Sequence, residues 1–486
     1  MLGRGSNSQR EPPFILPTVP FVGHLVGILL QKRKYFTSLS SKYRLSLYSL
    51  DLLGGRIYIV NSVDVLQLIQ RLPKKLSFWF IEAKFGAKLA GLSKQAEMKL
   101  LDNPQGEKGD HSLLWGAMMA IHQNMKPGKS LDQMNQDMAR HLTTILRDLD
   151  AEDGETVDLW EWVMHKMTLV TTESIYGPLN PFREKAVEDN FWDFSDNTAM
   201  LLAGFMPKII ARKGYKAREE LVLAFEKYFA AAGPTTACNM IEAQWQNKKT
   251  HGISMNDSAR LECVNSIAFL ANTIPTAFWV VFHAFSNPTN LSRLREEASK
   301  LLIIQNDESG RIFRILDATR VRDNTFLVSF LEESLRLQAL GAGNRYVVED
   351  TLLDGRYLLK KDSLIIIPNE GFHSDPSIWG ADPKIFDADR FLRLKGKKVN
   401  PASFRGFGGG ANLCPGRFFA MTEVLTMVSV LALGYDLEPY SGRWSYPGED
   451  HSNMSLIVPP PADKVVVRLR RRSGWEGGLW SVRYEV

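Results

Sequence analysis

A single cysteine, Cys414, lies in a glycine-rich stretch whose residue types suit the binding of a metal ion through sulfur. Three consecutive glycines, Gly408 to Gly410, precede it, Gly416 follows it, and apolar residues typical of a helix continue to Leu433. A thiolate at the beginning of a helix is stabilised by the positive end of the helix dipole. Glycines let the backbone approach a flat ligand closely, and N–H groups directed at the sulfur tune a metal–thiolate bond.

Two interpretations of Cys414 follow from these residue types. An axial thiolate on heme iron fits the pattern, because such a ligand donates electron density to iron and favours cleavage of the O–O bond. The alternative is structural, since a lone cysteine is commonly a small buried hydrophobic residue and a run of glycines is commonly a loop. Motifs elsewhere in the chain favour the first interpretation.

The stretch resembles the heme-binding loop of cytochromes P450, whose pattern is Phe-Gly-x-Gly-x-Arg-x-Cys-x-Gly. The matching residues are Phe407, Gly408, Gly410, Cys414 and Gly416. The resemblance implies that Cys414 ligates the iron of heme b (iron-protoporphyrin IX), and that Phe407, Gly408 and Gly416 belong to the cofactor-binding loop. Asn412 stands where most of the family has an arginine that pairs with a heme propionate, so the resemblance leaves this contact unassigned.

The composition of the chain is that of an ordinary globular protein. Of its 486 residues, 44% are hydrophobic and 23% are charged, which is the usual balance. The net charge of +5 is mild for this length and does not predict nucleic-acid binding. The three cysteines, Cys238, Cys263 and Cys414, are too few and too scattered for a disulfide framework, which favours a reducing compartment. Their spacing does not match a zinc site.

A long helix is predicted from about residue 256 to 286, with Pro275 inside it. A proline within a helix removes one backbone hydrogen bond and kinks the helix. Most cytochromes P450 have an acid–threonine pair at this place for proton delivery, and by resemblance Ala271 replaces the acid and Asn272 the threonine. The resemblance therefore implies Asn272 and Thr273 as catalytic residues. The alternative is that Asn272 satisfies the backbone freed by Pro275.

This departure from the common pattern resembles one branch of the family. The residues concerned are Ala271, Asn272, Thr273, Pro275, Phe278, Trp279 and Asn412. The branch contains prostacyclin synthase and the sterol hydroxylases that form bile acids. It therefore includes both monooxygenases and a peroxide isomerase. In general character the sequence also resembles members of the family from fungal secondary metabolism.

Three charged residues are predicted to assemble the cofactor pocket without taking part in the chemistry. Glu333 and Arg336 are three residues apart on a predicted helix, so they share one face and can pair. Such a pair is common on surface helices, but its place ahead of the cysteine loop resembles a buried pair of the family, with Arg390 as the third member. A buried guanidinium fork that joins a helix to a loop would order that loop.

Other residues are assigned by resemblance alone. Arg345 is implied as a donor to a heme propionate, and the alternative is an arginine on a surface strand. His373 is expected to be structural. The arginine of the family's Trp-x-x-x-Arg motif is not evident after Trp115, so His122 or Lys126 is the candidate for its propionate contact.

The remaining patterns predict a mainly α-helical protein, the cytochrome P450 fold, with a small β-sheet. Strand-like runs at residues 45–50 and 56–60 predict a hairpin, and a helix is expected from residue 63 to 72. Apolar residues at helical spacing predict another helix over residues 158–176. Short strands are also expected from residue 344 onward.

One domain is predicted over residues 12–472, between a disordered segment 1–11 and a C-terminal tail 473–486. The apolar run at residues 21–30 is shorter than the about 20 residues that cross a bilayer. It is followed by a basic stretch at residues 31–34, and it either binds a membrane surface or packs on the domain. The resemblance implies the cytoplasmic face of the endoplasmic reticulum membrane, although an anchor helix is not visible in the sequence.

Together these features predict a heme-thiolate monooxygenase that oxidises an apolar substrate such as a terpenoid or sterol. The resemblance implies NADPH–cytochrome P450 reductase as the source of electrons, contact with a membrane surface and no nucleic-acid partner. The alternative function is a heme-thiolate isomerase or dehydratase that rearranges a peroxide without NADPH. The unusual Asn272 and the missing acid motivate this alternative.

Overall fold

Helices dominate the structure, a computed structural model, and small sheets lie beside them. The structure describes residues 2–3, 10–17, 19, 23–52, 55–109, 112–149, 153–204, 206–397, 399–475 and 477–485. The helices are α1 (Gly23–Gln31), α2 (Lys34–Tyr43), α3 (Val63–Gln70), α4 (Trp79–Ala90), α5 (Lys94–Leu101), α6 (Leu113–Met125), α7 (Lys129–Leu149), α8 (Leu159–Tyr176), α9 (Lys185–Asp196), α10 (Thr198–Ala203), α11 (Pro207–Ile210), α12 (Arg212–Ala230), α13 (Asn239–Thr250), α14 (Met255–Leu270), α15 (Thr273–Phe285), α16 (Pro288–Ser299), α17 (Thr325–Gln338), α18 (Asn369–His373), α19 (Pro376–Trp379), α20 (Arg390–Leu394) and α21 (Arg417–Gly434).

The strands form one larger sheet and several small ones. They are β1 (Leu2–Gly3), β2 (Phe14–Ile15), β3 (Leu47–Leu52), β4 (Gly55–Val60), β5 (Leu76–Ser77), β6 (Thr156–Asp158), β7 (Leu302–Asn306), β8 (Ile312–Asp317), β9 (Ala342–Val347), β10 (Thr351–Leu353), β11 (Tyr357–Leu359), β12 (Leu364–Pro368), β13 (Gly408–Gly409), β14 (Asn412–Leu413), β15 (Tyr435–Pro439), β16 (Val466–Arg471) and β17 (Leu479–Arg483). The larger sheet has the order β1-β2-β3-β4-β12-β9-β5. The predicted mainly α-helical class with a small β-sheet is confirmed.

The predicted hairpin near the N-terminus is present as β3 and β4. The two strands pair antiparallel from Leu47 opposite Val60 to Leu52 opposite Gly55. Their turn, residues 53–54, lies outside the described residues. β12 then pairs parallel with β4, so this hairpin is joined to the strands that follow α17.

The predicted helix over residues 256–286 is two helices, α14 and α15. The break lies at Ala271 and Asn272, ahead of Pro275. Pro275 has no N–H to donate to the carbonyl of Ala271, and it occupies the first turn of α15, where a helix needs no such bond. The predicted long helix is thus present over Met255–Phe285 with a two-residue break, and the predicted kink beside Pro275 agrees with the structure.

Long buried helices form the centre of the core. The side chains of α15 are buried from Ile274 to Phe285 and those of α21 from Thr422 to Gly434, and the two helices contact each other. Met255–Phe285 and Arg417–Gly434 are long and apolar enough to cross a membrane by length and composition. The most apolar 18-residue windows of these two segments are 72% and 78% buried, as expected of core helices.

The two ends of the chain also contact the domain. Leu2–Gly3 pairs with Phe14–Ile15, while most of segment 1–11, predicted to be disordered, lies outside the described residues. In the predicted C-terminal tail, β17 pairs parallel with β8. Trp480 is buried and lies close to the backbone of Gly434 at the end of α21, so this part of the tail packs on the domain.

Candidate active site

The glycine-rich loop and α14–α15 enclose a cavity with two lobes, both bordered by Cys414. The smaller lobe has a volume of about 250 Å³ and extends towards α17 and β9. The larger lobe has a volume of about 370 Å³ and extends towards α6 and α13. Ala268, Thr273, Asn412 and Ala420 border both lobes, so these are two parts of one space above the cysteine.

A tight hairpin and the beginning of α21 position Cys414. Gly408 has φ of +79°, and a Cβ atom there would lie 3.0 Å from the carbonyl oxygen of Asn412. The backbone N–H of Cys414 donates to the carbonyl of Phe407 at 2.9 Å. Burial raises the pKa of the Cys414 thiol, and the backbone N–H groups of Gly416 and Arg417 oppose this effect. These N–H groups and the following helix are therefore placed to stabilise a thiolate.

The junction between α14 and α15 forms the opposite wall. Thr273 borders both lobes and Asn272 borders the smaller one. The side-chain oxygen of Asn272 accepts hydrogen bonds from the backbone N–H groups of Ile457 and Val458. The carbonyl freed by Pro275 needs a donor, so these two bonds to the oxygen do not test the alternative that Asn272 satisfies that backbone. The structure places both predicted residues at the cavity, and their catalytic role stays a prediction.

The three charged residues predicted to assemble the pocket lie in direct contact. Glu333 is fully buried and its carboxylate accepts from Nε of Arg336 at 2.7 Å and from Nε of Arg390 at 3.0 Å. Arg390 also donates to the carbonyl of Ile385 at 2.9 Å. These bonds join α17 to the segment that precedes the cysteine loop.

A chain of hydrogen bonds continues from this cluster to the cysteine loop. Arg336 donates from Nη1 to the carbonyl of His373 at 2.6 Å, and Nε2 of His373 accepts from the backbone N–H of Arg405 at 2.9 Å. Burial lowers the pKa of His373 to about 3, so the ring is neutral and can accept this bond. His373 is bonded to the loop backbone, as expected for a structural residue.

Arg345 lies on β9, beside the residues that form the cavity wall. It is buried, its Nη1 donates to the carbonyl of Asn344 at 2.6 Å, and its guanidinium lies 5.5 Å from the ring centre of Phe78. Burial lowers its pKa to about 10, and Glu82 opposes this effect. Phe78 and Glu82 both border the larger lobe. The alternative of an exposed strand arginine is thus wrong, while the propionate role stays a prediction.

Of the two candidates on α6, one borders the cavity. His122 lines the larger lobe, and burial lowers its pKa. Lys126 is exposed beyond the C-terminal end of α6. His122 is therefore the better placed of the two to contact a ligand.

Sequence analysis missed two charged residues at this cavity, Arg405 and Glu82. Arg405 is buried within the smaller lobe, and its signal was a charged residue inside the apolar, glycine-rich run before Cys414. Glu82 lies on α4 and borders the larger lobe, and its side chain is accessible to solvent. Burial raises its pKa to about 7, with Arg345 opposing. No sequence pattern marked Glu82.

The residues at this cavity fit a flat cofactor with an axial thiolate and anionic edges. Cys414 offers the sulfur, and Leu331, Leu335 and Val424 offer apolar surface. The Nη1 atom of the buried Arg405 has no hydrogen-bond partner among the residues that the structure describes, as expected of a group that binds an anionic ligand. Heme b has this combination of an iron, a planar apolar ring and two carboxylates.

Comparison with known proteins shows matches over almost the whole chain. The family model described as Cytochrome P450 matches residues 12–467. Cytochrome P450 monooxygenase nodJ from Hypoxylon pulicicidum is 33% identical, over 99% of this chain and 93% of that protein. A cytochrome P450 monooxygenase from Gibberella zeae is 28% identical, over 97% and 91% respectively. The 25-hydroxycholesterol 7-alpha-hydroxylase of Rattus norvegicus is 25% identical, over 84% and 98%.

Proposed function

We propose that this chain, which belongs to the cytochrome P450 family of monooxygenases, oxidises an apolar substrate of terpenoid or sterol size. The electrons would come from NADPH. Members of this family bind heme b through a cysteine thiolate, and Cys414 is the residue that would hold it here. The bound cofactor supplies activation of dioxygen for insertion into a C–H bond. The protein's own residues bind and orient the substrate and exclude water.

The observation that carries the proposal is the apolar lining of the larger lobe beside Cys414. Its wall includes Leu114, Met118, Ile121, Val264 and Phe269. Such a surface binds a ligand by removing apolar area from water. Polar residues such as Glu82 and Gln244 also border this lobe, but most of its wall is apolar, so a terpenoid or sterol skeleton is the proposed substrate class.

The relatives support both the chemistry and the class of substrate. The protein from Rattus norvegicus is named as a hydroxylase of 25-hydroxycholesterol, which agrees with the predicted resemblance to sterol hydroxylases. The two fungal relatives are named as monooxygenases. These names favour oxidation with dioxygen over the alternative, rearrangement of a peroxide without NADPH.

An oxygen-labelling experiment tests the proposed function. The purified holoenzyme is incubated with sterols, terpenoids and fatty-acid hydroperoxides under labelled dioxygen, with and without NADPH and NADPH–cytochrome P450 reductase. We expect a product that gains one labelled oxygen only when NADPH and reductase are present. Turnover of a hydroperoxide without NADPH and without label would contradict the proposal and establish the isomerase.

We also propose that the enzyme lies on the cytoplasmic face of the endoplasmic reticulum membrane. Leu29 and Leu30 on α1 are 67% and 78% exposed, and Ile209 on α11 is 65% exposed. Asn453 bonds to Arg33, beyond the end of α1, and to the carbonyl of Ser195 in α9, which precedes α10 and α11. Exposed apolar segments such as α1 and α11 would insert into a membrane surface.

Binding to lipid vesicles tests this proposal. We expect the double variant Leu29→Glu/Leu30→Glu, and separately Ile209→Glu, to lower the fraction of holoenzyme that sediments with phospholipid vesicles. Ile304→Glu is the control, because Ile304 is 59% exposed but lies on β7. Equal sedimentation of all variants and the wild type would contradict a membrane contact through α1 and α11.

A further inference from the structure

Two buried arginines, Arg405 and Arg345, lie near each other, and neither forms an ion pair among the described residues. Arg405 is 3% exposed and Arg345 is 6% exposed. Within the described ranges neither guanidinium forms an ion pair with a carboxylate, although other buried arginines such as Arg336 and Arg390 do. A buried charge without a partner is costly, so this arrangement indicates an anion that completes the site.

The bonds that Arg405 makes leave one end of its guanidinium free at the cavity. Its Nε donates to the side-chain oxygen of Asn369 at 2.8 Å, and its Nη1 is buried without a partner. Arg405, Asn369 and Gly343 all border the smaller lobe together with Cys414. The guanidinium is thus held at one edge and open at the other, on the same cavity as the sulfur.

The backbone around Arg405 is shaped to admit its guanidinium. A Cβ atom at Gly343 would lie 2.7 Å from Nη2 of Arg405, so a larger residue there would displace the group. The backbone N–H of Arg405 is fixed by His373. The guanidinium of Arg405 is therefore confined by Gly343 and its backbone is held by His373, as a binding group requires.

We propose that Arg405, supported by Arg345, binds a propionate carboxylate of heme b and replaces the arginine that is absent at Asn412. This inference rests on the proposed function only in taking heme b as the cofactor. A guanidinium and a carboxylate match in charge and geometry and form strong paired hydrogen bonds in a buried site. Two arginines at one edge suit an anion that carries a full negative charge. Burial, together with the like charge of Arg345, lowers the pKa of Arg405 to about 10, and the negative charge of a bound carboxylate would oppose this shift.

The rate at which holoenzyme loses heme to excess apomyoglobin tests the proposal. We expect Arg405→Gln to raise this rate by about tenfold or more, because a hydrogen bond to a charged group contributes at least that factor. Arg405→Lys should restore part of the retention. Arg218→Gln is the matched control, since Arg218 is 6% exposed against 3% for Arg405, but it pairs with Glu219 and the carbonyl of Leu89, away from both lobes.

A spectroscopic readout separates propionate binding from a general loss of stability. In the resonance Raman spectrum, the propionate bending band should shift in Arg405→Gln and stay unchanged in Arg218→Gln. If Arg405→Gln cannot be obtained folded, Gly343→Ala should give the same band shift by displacing the guanidinium while the charge remains. An unchanged band in whichever of these two variants is obtained, or heme loss no faster than in Arg218→Gln, would overturn the proposal.

The two proposals fail in distinguishable ways. A wild-type enzyme that oxidises its substrate but retains heme independently of Arg405 would contradict only the propionate site. A wild-type enzyme that retains heme through Arg405 but gains no labelled oxygen in any substrate would contradict only the proposed oxidation.

Discussion

The side-chain oxygen of Asn272 lies 3.1 Å from the backbone nitrogen of Ile457, a residue 185 positions later in the chain. The same oxygen accepts from Val458 at 3.2 Å. Trp279 adds a bond from its indole N–H to the carbonyl of Pro459. Because Asn272, Ile457 and Val458 all border the smaller lobe, these bonds fix one wall of the site to the helix break beside it.

Replacing Asn272 distinguishes a positioning role from a catalytic one. Asn272→Asp keeps an oxygen that accepts both N–H groups, while Asn272→Leu leaves them unpaired. If Asn272 acts by holding residues 457 and 458, the distribution of products should change in Asn272→Leu and be preserved in Asn272→Asp, as measured by mass spectrometry of products. Equal disturbance by both substitutions would contradict this role and point to the side-chain N–H₂ group or to neutrality at this position.

Replacing Cys414 tests the iron ligand. Cys414→Ala should abolish the red-shifted band of the reduced carbon monoxide complex, because that band requires a thiolate on the iron. Cys263→Ala is the control, since Cys263 is buried in the core and does not border either lobe. Absence of the thiolate band from the reduced wild-type complex would contradict the assignment of Cys414 and the family chemistry with it.

Replacing Glu333 tests the buried charge cluster. Glu333→Gln leaves Arg336 and Arg390 without a counter-charge, and loss of one member of a buried ion pair costs about 3–5 kcal/mol. We therefore expect little soluble, heme-loaded enzyme, measured as the ratio of heme to protein after purification. Lys213→Gln should leave the ratio unchanged, because its ion pair with Asp193 is largely exposed. A normal ratio in Glu333→Gln would show that this cluster is dispensable for heme-pocket assembly.

A buried glutamate on α21 should make stability depend on pH. Burial raises the pKa of Glu423 from 4.5 to about 8, and its hydrogen bond from Thr171 opposes this effect. Because the folded pKa is raised, the stabilising contribution is complete below pH 4.5 and is lost as the pH rises towards 8. The loss is on the order of 1 kcal/mol per pH unit across this window.

The variant Glu423→Gln should remove this pH dependence. Its thermal midpoint should equal that of the wild type near pH 5 and exceed it increasingly towards pH 8, as measured by scanning calorimetry of the holoenzyme. Glu161→Gln controls for the change in net charge, because Glu161 is 64% exposed. A constant difference between Glu423→Gln and the wild type at all pH values would contradict a neutral buried Glu423.

Local patterns in the sequence were sufficient to find the cysteine loop and the charged pair Glu333 and Arg336 on one helix. Glycines beside Cys414 and the three-residue spacing of Glu333 and Arg336 depend on backbone geometry within one turn or loop, so they can be read directly. The mainly α-helical class followed from the same periodic patterns. The prediction for residues 256–286 located the helix but not the break at Ala271 and Asn272, because a proline can end the preceding helix or begin the next one.

Contacts between distant parts of the chain were decided only by the tertiary structure. Asn272 finds its partners 185 and 186 residues away, and Glu423 accepts from a residue 252 positions earlier. That Nη1 of Arg405 lacks a hydrogen-bond partner among the described residues could not be read from its own segment, because it depends on which polar groups the fold places beside it. The sequence by itself thus determined the residue that would bind iron and the class of the fold. Only packing decided which buried polar groups are satisfied by the protein and which remain free for a ligand.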